Sequence, residues 1–145
     1  MIVEPISPDN IEVLAQLMLE LWPNGSLEEE LESCKMILNS ENDGCFLIKD
    51  NESYIGFIHL TARFDYVEGA DSSPVAYIEG LYVKENWRHL GIGKKMIHLG
   101  IEWGRQKGCT QLASDTEVDN GTSIEFHQRM GFLEANRIVC FIMEI

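Results

Sequence analysis

The chain has 145 residues, 45% of them apolar, and its 24 Asp and Glu against 11 Lys and Arg give a formal charge of −13. A chain of this length buries about 70% of its unfolded surface on folding, which excludes intrinsic disorder and predicts one domain over residues 1–145. Nucleic-acid binding depends on clustered Lys and Arg, so we expect no nucleic-acid partner, whereas a polycation would be attracted.

No segment has the composition of a membrane anchor or a secretion signal. The longest apolar run, Ile138–Met143, is far shorter than the ~20 residues that a spanning helix needs. The N-terminus carries Glu4 and Pro5, where a signal peptide would be basic and then apolar. We therefore expect a cytoplasmic protein with no membrane partner.

The cysteines form neither a metal-binding pattern nor a disulfide framework. They are Cys34, Cys45, Cys109 and Cys140. No C-x-x-C pair occurs, and no His is spaced for zinc, so we expect reduced thiols in the core and no metal.

The N-terminal part predicts one strand and two helices. Ile2 to Pro5 predicts a short strand, and Ser7 is expected to cap a helix whose apolar residues recur at helical spacing up to Leu21. A turn breaks this helix. Ser26 then opens a second helix whose apolar stripe continues to Leu38.

From Gly44 the hydrophobic period changes to two, which is typical of strands. Strands are predicted over Cys45–Lys49, Tyr54–Asp65 and Val75–Val83. The first two form a hairpin, in which Gly56 marks a bulge. Along the third, alternate side chains are expected to point to opposite faces.

The C-terminal part predicts a helix from about Gly91 to Lys107 and another from Asp119 or Asn120 to about Met130. A short strand is predicted over Gln111–Ser114, and Phe132–Ile145 is expected to supply the last strand or strands. This order predicts a mixed α/β fold with a mostly antiparallel sheet and one right-handed parallel crossover.

One segment combines the end of a strand, a polar loop and the start of a helix. It contains Arg88-x-x-Gly91-x-Gly93, which directs backbone N–H groups and the positive end of a helix dipole at one spot. The pattern predicts a pyrophosphate site, although a tight strand-to-helix turn without a ligand fits it too. It differs from the Walker and dinucleotide fingerprints, which need further Gly, Ser or Thr residues.

With this loop the sequence resembles the GNAT acetyltransferase superfamily, whose signature is Arg/Gln-x-x-Gly-x-Gly/Ala after a central strand. Asn120 and the helix that leads to Phe132 resemble the family's second motif. The resemblance implies the GNAT fold, with a splayed parallel strand pair and helices on both faces, and acetyl-coenzyme A (acetyl-CoA) as co-substrate. The residues it implies for cofactor binding are Leu81, Tyr82, Val83, Arg88, His89, Leu90, Gly91, Ile92, Gly93, Lys94 and Asn120.

Two carboxylates are candidates for catalysis. Glu79 is expected on a strand face whose other members are Val75, Tyr77, Leu81 and Val83. Burying a carboxylate there is costly unless it has a partner or takes part in a reaction. Three readings of Glu79 therefore stay open: the general base, one half of a structural ion pair, or a solvated residue at the strand edge. Asp115 follows the neighbouring strand and either orients the amine or serves as a turn or capping residue.

His127 stands where many GNAT members have a Tyr that protonates the departing thiolate. Because of this departure, two readings stay open for His127: general acid, or helix residue packed near the cofactor.

Five further blocks resemble bacterial aminoglycoside 6'-N-acetyltransferases of the short, dimeric type. They are Leu21-Trp22-Pro23, Phe64 to Gly69, Ser73 to Gly80, Ala113-Ser114-Asp115 and His127-x-x-Met130-Gly131-Phe132. The resemblance implies acetyl transfer to the 6'-amino group by direct attack of the amine, antibiotic resistance and a homodimer. The antibiotic pocket it implies consists of Trp22, Tyr66, Glu79 and Asp115. Carboxylates and aromatic faces suit a polycationic aminosugar. The alternatives are a GNAT enzyme acting on a polyamine, a protein N-terminus or lysine, and a non-catalytic acyl-CoA-binding module.

Overall fold

The computed structural model describes residues 1–145 and contains a five-stranded sheet. The elements are β1 (Ile2–Pro5), α1 (Ile11–Leu21), α2 (Leu27–Leu38), β2 (Asp43–Asp50), β3 (Ser53–Arg63), β4 (Val75–Val83), α3 (Ile92–Gln106), β5 (Leu112–Ala113) and α4 (Gly121–Arg129), with a 3-10 turn at Glu85–Trp87. The strands lie in chain order, antiparallel from β1 to β4, and β5 runs parallel to β4. The predicted mixed α/β fold is therefore confirmed.

Helices cover both faces of this sheet. On one face α1 and α2 pack on β2 and β3 through Leu14, Leu17, Met18, Cys34, Leu47 and Phe57. On the other face α3 packs on β3 and β4 through Ile58, Leu60, Ala76, Ile78, Met96 and Trp103. None of the helices is long and apolar enough to cross a membrane.

Helices α2 and α4 begin with a side-chain cap, whereas α1 and α3 have none. Ser26 caps α2 as predicted, since its hydroxyl accepts from the Glu29 N–H at 3.1 Å. The prediction of Ser7 as the cap of α1 is wrong. The Asn10 side chain accepts from the Ser7 N–H at 2.8 Å, which ties Ser7 into a turn, and α1 begins at Ile11.

Strand β4 has the predicted bounds, but it contains a bulge. His59 pairs with Gly80 and Leu60 pairs with Ile78, which leaves Glu79 as an extra residue. Strand β3 has a similar irregularity beside Gly56, where a bulge was predicted.

The bulge reverses the two faces of β4. Before it, Ala76 and Ile78 pack on the α3 side of the sheet, and after it Leu81 and Val83 do the same. The prediction that Leu81 and Val83 share the face of Glu79 is therefore wrong, because the extra residue shifts the alternation by one.

The C-terminal segment 132–145 contains no strand, so the predicted last strand is wrong for this chain taken alone. Asn136 ties the segment to the domain, since its amide donates to Glu68 at 2.7 Å. Farther along, the apolar side chains are exposed, and Phe141 is 92% and Ile142 97% exposed. Cys140 is exposed here, in contrast to the predicted burial of every cysteine.

The remaining cysteines, Cys34, Cys45 and Cys109, are buried and unpaired, as predicted. Burial raises the pKa of the Cys34 thiol to about 11 and raises that of Cys45 further. Both thiols are therefore protonated at neutral pH and serve as core packing.

Candidate active site

A loop with unusual backbone geometry joins β4 to α3. The Arg88 side chain donates from Nε to the Val83 carbonyl at 2.8 Å and so closes the loop on the strand end. His89 and Gly91 have φ values of 63° and 81°, the left-handed region that favours glycine. A non-glycine residue held there indicates a turn fixed by its surroundings.

The start of α3 presents free backbone donors to this loop. Its first helical hydrogen bond runs from the Lys95 N–H to the Gly91 carbonyl at 3.1 Å. The N–H groups of Ile92, Gly93 and Lys94 therefore have no partner within the helix. Three such donors at the positive end of a 15-residue helix fit an anionic phosphate group.

The two glycines of the motif have different structural causes. Gly91 has open space around it, and its left-handed φ is what requires glycine. A side chain at Gly93 would come within 2.8 Å of the Phe126 ring. Gly93 therefore allows α4 to pack closely on α3.

Strands β4 and β5 separate soon after they meet. They pair only through Ala76 with Leu112 and Tyr77 with Ala113. From Ile78 onward this edge of β4 has no strand beside it, and Leu81, Tyr82 and Val83 lie along the open part. An extended group with amide bonds can pair with such an edge.

Asn120 lies across this gap at the start of α4. Its side chain accepts from the Ser123 N–H at 3.2 Å, so it caps the helix. The cap engages the side-chain oxygen of Asn120 and leaves the amide nitrogen as a free donor.

Glu79, the bulged residue, is held by three hydrogen bonds from β3. Its Oε1 accepts from Thr61 Oγ1 at 2.6 Å and from Arg63 Nε at 2.8 Å, and its Oε2 accepts from Arg63 Nη2 at 2.8 Å. Burial raises the pKa of the Glu79 carboxyl, but these bonds and the charges of Arg63 and His59 outweigh it, so the pKa lies below its ordinary value. Glu79 is therefore a carboxylate at neutral pH.

The same arginine links Glu79 to the second carboxylate. The Arg63 guanidinium carbon lies 3.4 Å from the centroid of the Tyr77 ring, and the Tyr77 hydroxyl donates to Asp115. Burial, followed by this hydrogen bond, raises the pKa of Tyr77, which keeps the phenol neutral. Glu79, Arg63, Tyr77 and Asp115 thus form one cluster at the point where β4 and β5 part.

The interpretation from sequence identified both carboxylates of this cluster but missed the residues that connect them. From the sequence, Thr61 and Arg63 are predicted only to belong to a strand, and Tyr77 only to share the strand face of Glu79. A signal was present, because polar residues recur at alternate positions of β3, at His59, Thr61 and Arg63. On a strand this period puts them on one face, beside the candidate base.

Of the two predicted aromatic residues, Trp22 lies against Gly80, the residue that follows Glu79 in the chain. A side chain at Gly80 would come within 2.8 Å of the Trp22 ring, which therefore covers the bulge. The ring packs edge-on against Phe57, with centroids 6.3 Å apart, and Trp22 remains 40% exposed. It can both cover the core and offer a face to a ligand.

Tyr66 lies on the loop between β3 and β4, outside the Glu79 cluster. Its side chain is 81% exposed, and its hydroxyl donates to Glu68 at 3.0 Å. This hydrogen bond raises the pKa of the Tyr66 phenol. The loop encloses an open cavity of about 430 Å³, lined by Phe64, Asp65, Tyr66, Val67, Ala70, Asp71, Ser72 and Ser73.

His127 connects α4 to the end of β5. Its Nδ1 lies 2.7 Å from the Ser123 carbonyl, which can only accept, so Nδ1 carries a proton. Its Nε2 lies 2.8 Å from the Ser114 hydroxyl, next to Asp115 in the chain. The ring packs edge-on between Phe126 and Phe132. In the neutral ring Nε2 is an acceptor, so the geometry fits a residue that fixes the strand end.

No group of three or more His, Cys, Asp or Glu side chains is arranged to hold a metal ion. The site therefore consists of an open strand edge, a helix start with free donors and an acidic cluster with aromatic neighbours.

Residues 11–132, which include all of these features, match the model of the Acetyltransferase (GNAT) family. The chain belongs to the GNAT acetyltransferase family. Similar relatives of this GNAT acetyltransferase include an aminoglycoside N(6')-acetyltransferase type 1 from Serratia marcescens, 37% identical over 92% of each chain. One of the same name from Stenotrophomonas maltophilia is 34% identical, over 99% of this chain and 93% of its own.

Solved structures agree with this assignment. Aminoglycoside N-acetyltransferase AAC(6')-Iy, in complex with the bisubstrate analog CoA-S-monomethyl-acetylneamine, superposes on this GNAT acetyltransferase with a TM-score of 0.95. The two are 32% identical, and the match covers 99% of this chain and 98% of the other. A further structure of AAC(6')-Iy, in complex with CoA, also gives a TM-score of 0.95.

Proposed function

We propose that the protein transfers the acetyl group of acetyl-CoA to the 6'-amino group of aminoglycoside antibiotics and thereby confers resistance. The observation that carries the proposal is the cluster of Glu79 and Asp115 at the gap between β4 and β5, next to a helix start with free N–H donors. The names of the relatives and the bisubstrate complex of AAC(6')-Iy support the same activity.

Acetyl-CoA fits the residues of the gap and the loop. The free N–H groups of Ile92 to Lys94, with the loop residues Arg88 to Gly91, would hold the pyrophosphate. The open edge of Leu81 to Val83 and the free amide nitrogen of Asn120 would hold the pantetheine arm, which carries amide bonds. When bound, acetyl-CoA supplies an acyl thioester that an amine attacks directly.

The acidic cluster would bind and activate the amine. Glu79 and Asp115 attract an ammonium group, and Trp22 offers an aromatic face to an aminosugar. Tyr66, with the acidic loop around it, would contact a more distant ring. Glu79 then takes the proton from the ammonium group, directly or through water, which leaves a neutral nucleophile.

We assign His127 the role of a positioning residue, because both of its ring nitrogens are hydrogen-bonded, one to Ser123 and the other to Ser114. Through Ser114 it fixes the backbone that carries Asp115. The proton for the departing thiolate would then come from another donor, such as water.

The test is a thiol-release assay with acetyl-CoA and four amines. They are kanamycin, a kanamycin with a hydroxyl in place of the 6'-amine, spermidine and a basic peptide. We expect turnover with kanamycin only, and mass spectrometry should locate the acetyl group on the 6'-nitrogen. Turnover confined to spermidine or to the peptide would assign the enzyme to the corresponding alternative, and no turnover with any amine would favour an acyl-CoA-binding module.

We further propose a homodimer in which residues 138–145 pack on a second copy. The accessible surface of the chain is 9675 Å², whereas a compact monomer of this size exposes about 7,600 Å². The excess, roughly 2,000 Å², is larger than the ~800 Å² that each partner buries in a standard interface.

The sequence of this segment supports its insertion as a strand. Apart from Glu144, residues 138–145 are apolar without alternation, which is typical of a strand buried on both faces. The acceptor we propose is the open edge of β5 in the second copy. Beside that edge, α4 has no fully buried residue, so its apolar side is available for cover. We also expect one domain over residues 1–145 and a cytoplasmic location, where acetyl-CoA is available.

A further inference from the structure

Arg63 has the contacts that a cationic substrate group would make. Its guanidinium donates two hydrogen bonds to Glu79, both at 2.8 Å, and lies 3.4 Å from the centre of the Tyr77 ring. Asp115 accepts from the hydroxyl of that same Tyr77. A carboxylate and an aromatic face around one cation, with a second carboxylate on the far side of the phenol, form the environment expected for an ammonium group.

These contacts leave little room at Glu79 for another donor. Thr61 and Arg63 together supply three hydrogen bonds to the carboxylate, which accepts about four. An incoming ammonium group finds one free acceptor position on Glu79, and it must displace Arg63 to reach the face of the Tyr77 ring. The Arg63 side chain is 38% exposed, so a ligand can reach the ion pair from solvent.

We propose that Arg63 is a displaceable internal cation, which occupies the ammonium position at Glu79 and Tyr77 until a substrate amine replaces it. The proposal rests on the proposed function and deepens it by assigning a residue that competes with every substrate amine and so raises the number of ammonium groups that a substrate needs in order to bind. Because every amine must first displace the Arg63 guanidinium, the affinity for each amine is lowered by the same factor. A polycation tolerates this loss because its other ammonium groups reach Asp115 and the acidic loop, whereas a monoamine has no such compensation.

Displacement also changes the acid–base state of the site. The charged groups that face Glu79 are Arg63 and His59 from β3, with Asp115 beyond the neutral phenol of Tyr77. Arg63 lowers the pKa of the Glu79 carboxyl, and burial raises it. Once Arg63 is displaced, its charge no longer lowers the pKa of the Glu79 carboxyl, and the effect of burial raises that pKa. Glu79 then becomes a better proton acceptor for the incoming ammonium group.

The test compares the wild type with Arg63→Gln and Arg63→Lys. The dissociation constants of kanamycin and of 6-amino-6-deoxyglucose, which has a single ammonium group, are measured by calorimetry in the presence of CoA. For Arg63→Gln we expect both constants to fall by a similar factor, roughly threefold to tenfold. The acidic limb of kcat/KM should move to higher pH. Arg63→Lys keeps the charge but loses the two-pronged bond, so its effect should be intermediate.

Arg105→Gln is the matched control, because Arg105 pairs with Glu102 on the exposed side of α3, away from the cluster. It should leave both constants and the pH profile unchanged. If the dissociation constants rise or stay the same in Arg63→Gln while kcat falls, the proposal is overturned. Arg63 would then be a residue that only holds Glu79 in position. If Arg63→Gln fails to fold, the dissociation constants of Arg63→Lys are the test. A fall in both supports the proposal, and a rise or no change overturns it. If the wild type neither binds nor acetylates kanamycin, the proposed function itself is wrong, and this inference falls with it.

Discussion

Glu79→Gln removes the charge of the candidate base and keeps its shape. The amide oxygen can still accept from Thr61 and from Arg63 Nε, while the amide nitrogen cannot accept from Arg63 Nη2, so one charge-assisted bond is weakened and the other is lost. Because Arg63 and Glu79 are 38% and 25% exposed, the pair contributes at most about 1 kcal/mol to folding. For a domain of this size that corresponds to a fall in Tm of roughly 3–4 °C.

The expected loss of activity is much larger than this loss of stability. A general base contributes at least about 10²-fold, which equals about 2.7 kcal/mol of barrier. In the thiol-release assay with kanamycin, kcat of Glu79→Gln and of Glu79→Ala should therefore fall by about 10² or more. A folded variant that retains kcat within about threefold of wild type would refute the role of Glu79. Glu102→Gln, which changes the same group on the surface of α3, is the control and should keep full activity.

Four further results are expected. Since the pKa of Glu79 is lowered by folding, its carboxylate adds stability above its unfolded value of about 4.3 and loses it as pH falls through the folded pKa. The difference in unfolding free energy between wild type and Glu79→Gln should thus be constant above about pH 6 and shrink as pH falls below the unfolded value; a difference that grows with acidification would contradict this. Gly80→Ala should cost about 1–3 kcal/mol in thermal unfolding, because the new methyl group meets the indole ring at 2.8 Å. Gly121→Ala, which meets nothing within 4 Å, should cost nothing. Sedimentation should find a dimer for the wild type and a monomer for Phe141→Glu, and a monomeric wild type would disprove the dimer. His127→Phe should lose about 1–3 kcal/mol of stability with its hydrogen bonds, while the alkaline limb of the kcat profile stays in place; a shifted limb would make it the general acid.

The features that the sequence predicted well are those that depend on residues adjacent in the chain. The cap at Ser26, the start of α4 at Asn120 and the bounds of β4 each depend on a few adjacent positions. The loop from Arg88 to Gly93 is equally local, since its donors and its left-handed turn belong to one stretch of chain.

The features that were missed depend on residues far apart in the chain. The bulge at Glu79 is visible only when β4 is aligned with β3, and the same alignment brings Arg63 to the carboxylate. Ser7 failed as a cap because Asn10 competes for the same turn. The C-terminal segment has the composition of a strand, but a strand also needs a neighbouring strand, and in this structure the segment pairs with none.

Glu68 has a position that connects the end of the chain to the middle of it. Its carboxylate accepts from Tyr66 on one oxygen and from Asn136 on the other. Displacement of Asn136 would therefore remove one of the two hydrogen bonds that hold Glu68 on the loop that we expect to meet the antibiotic. An affinity tag after Ile145 would lie next to both this hydrogen bond and the proposed dimer contact, so a tag ahead of Met1 is preferable.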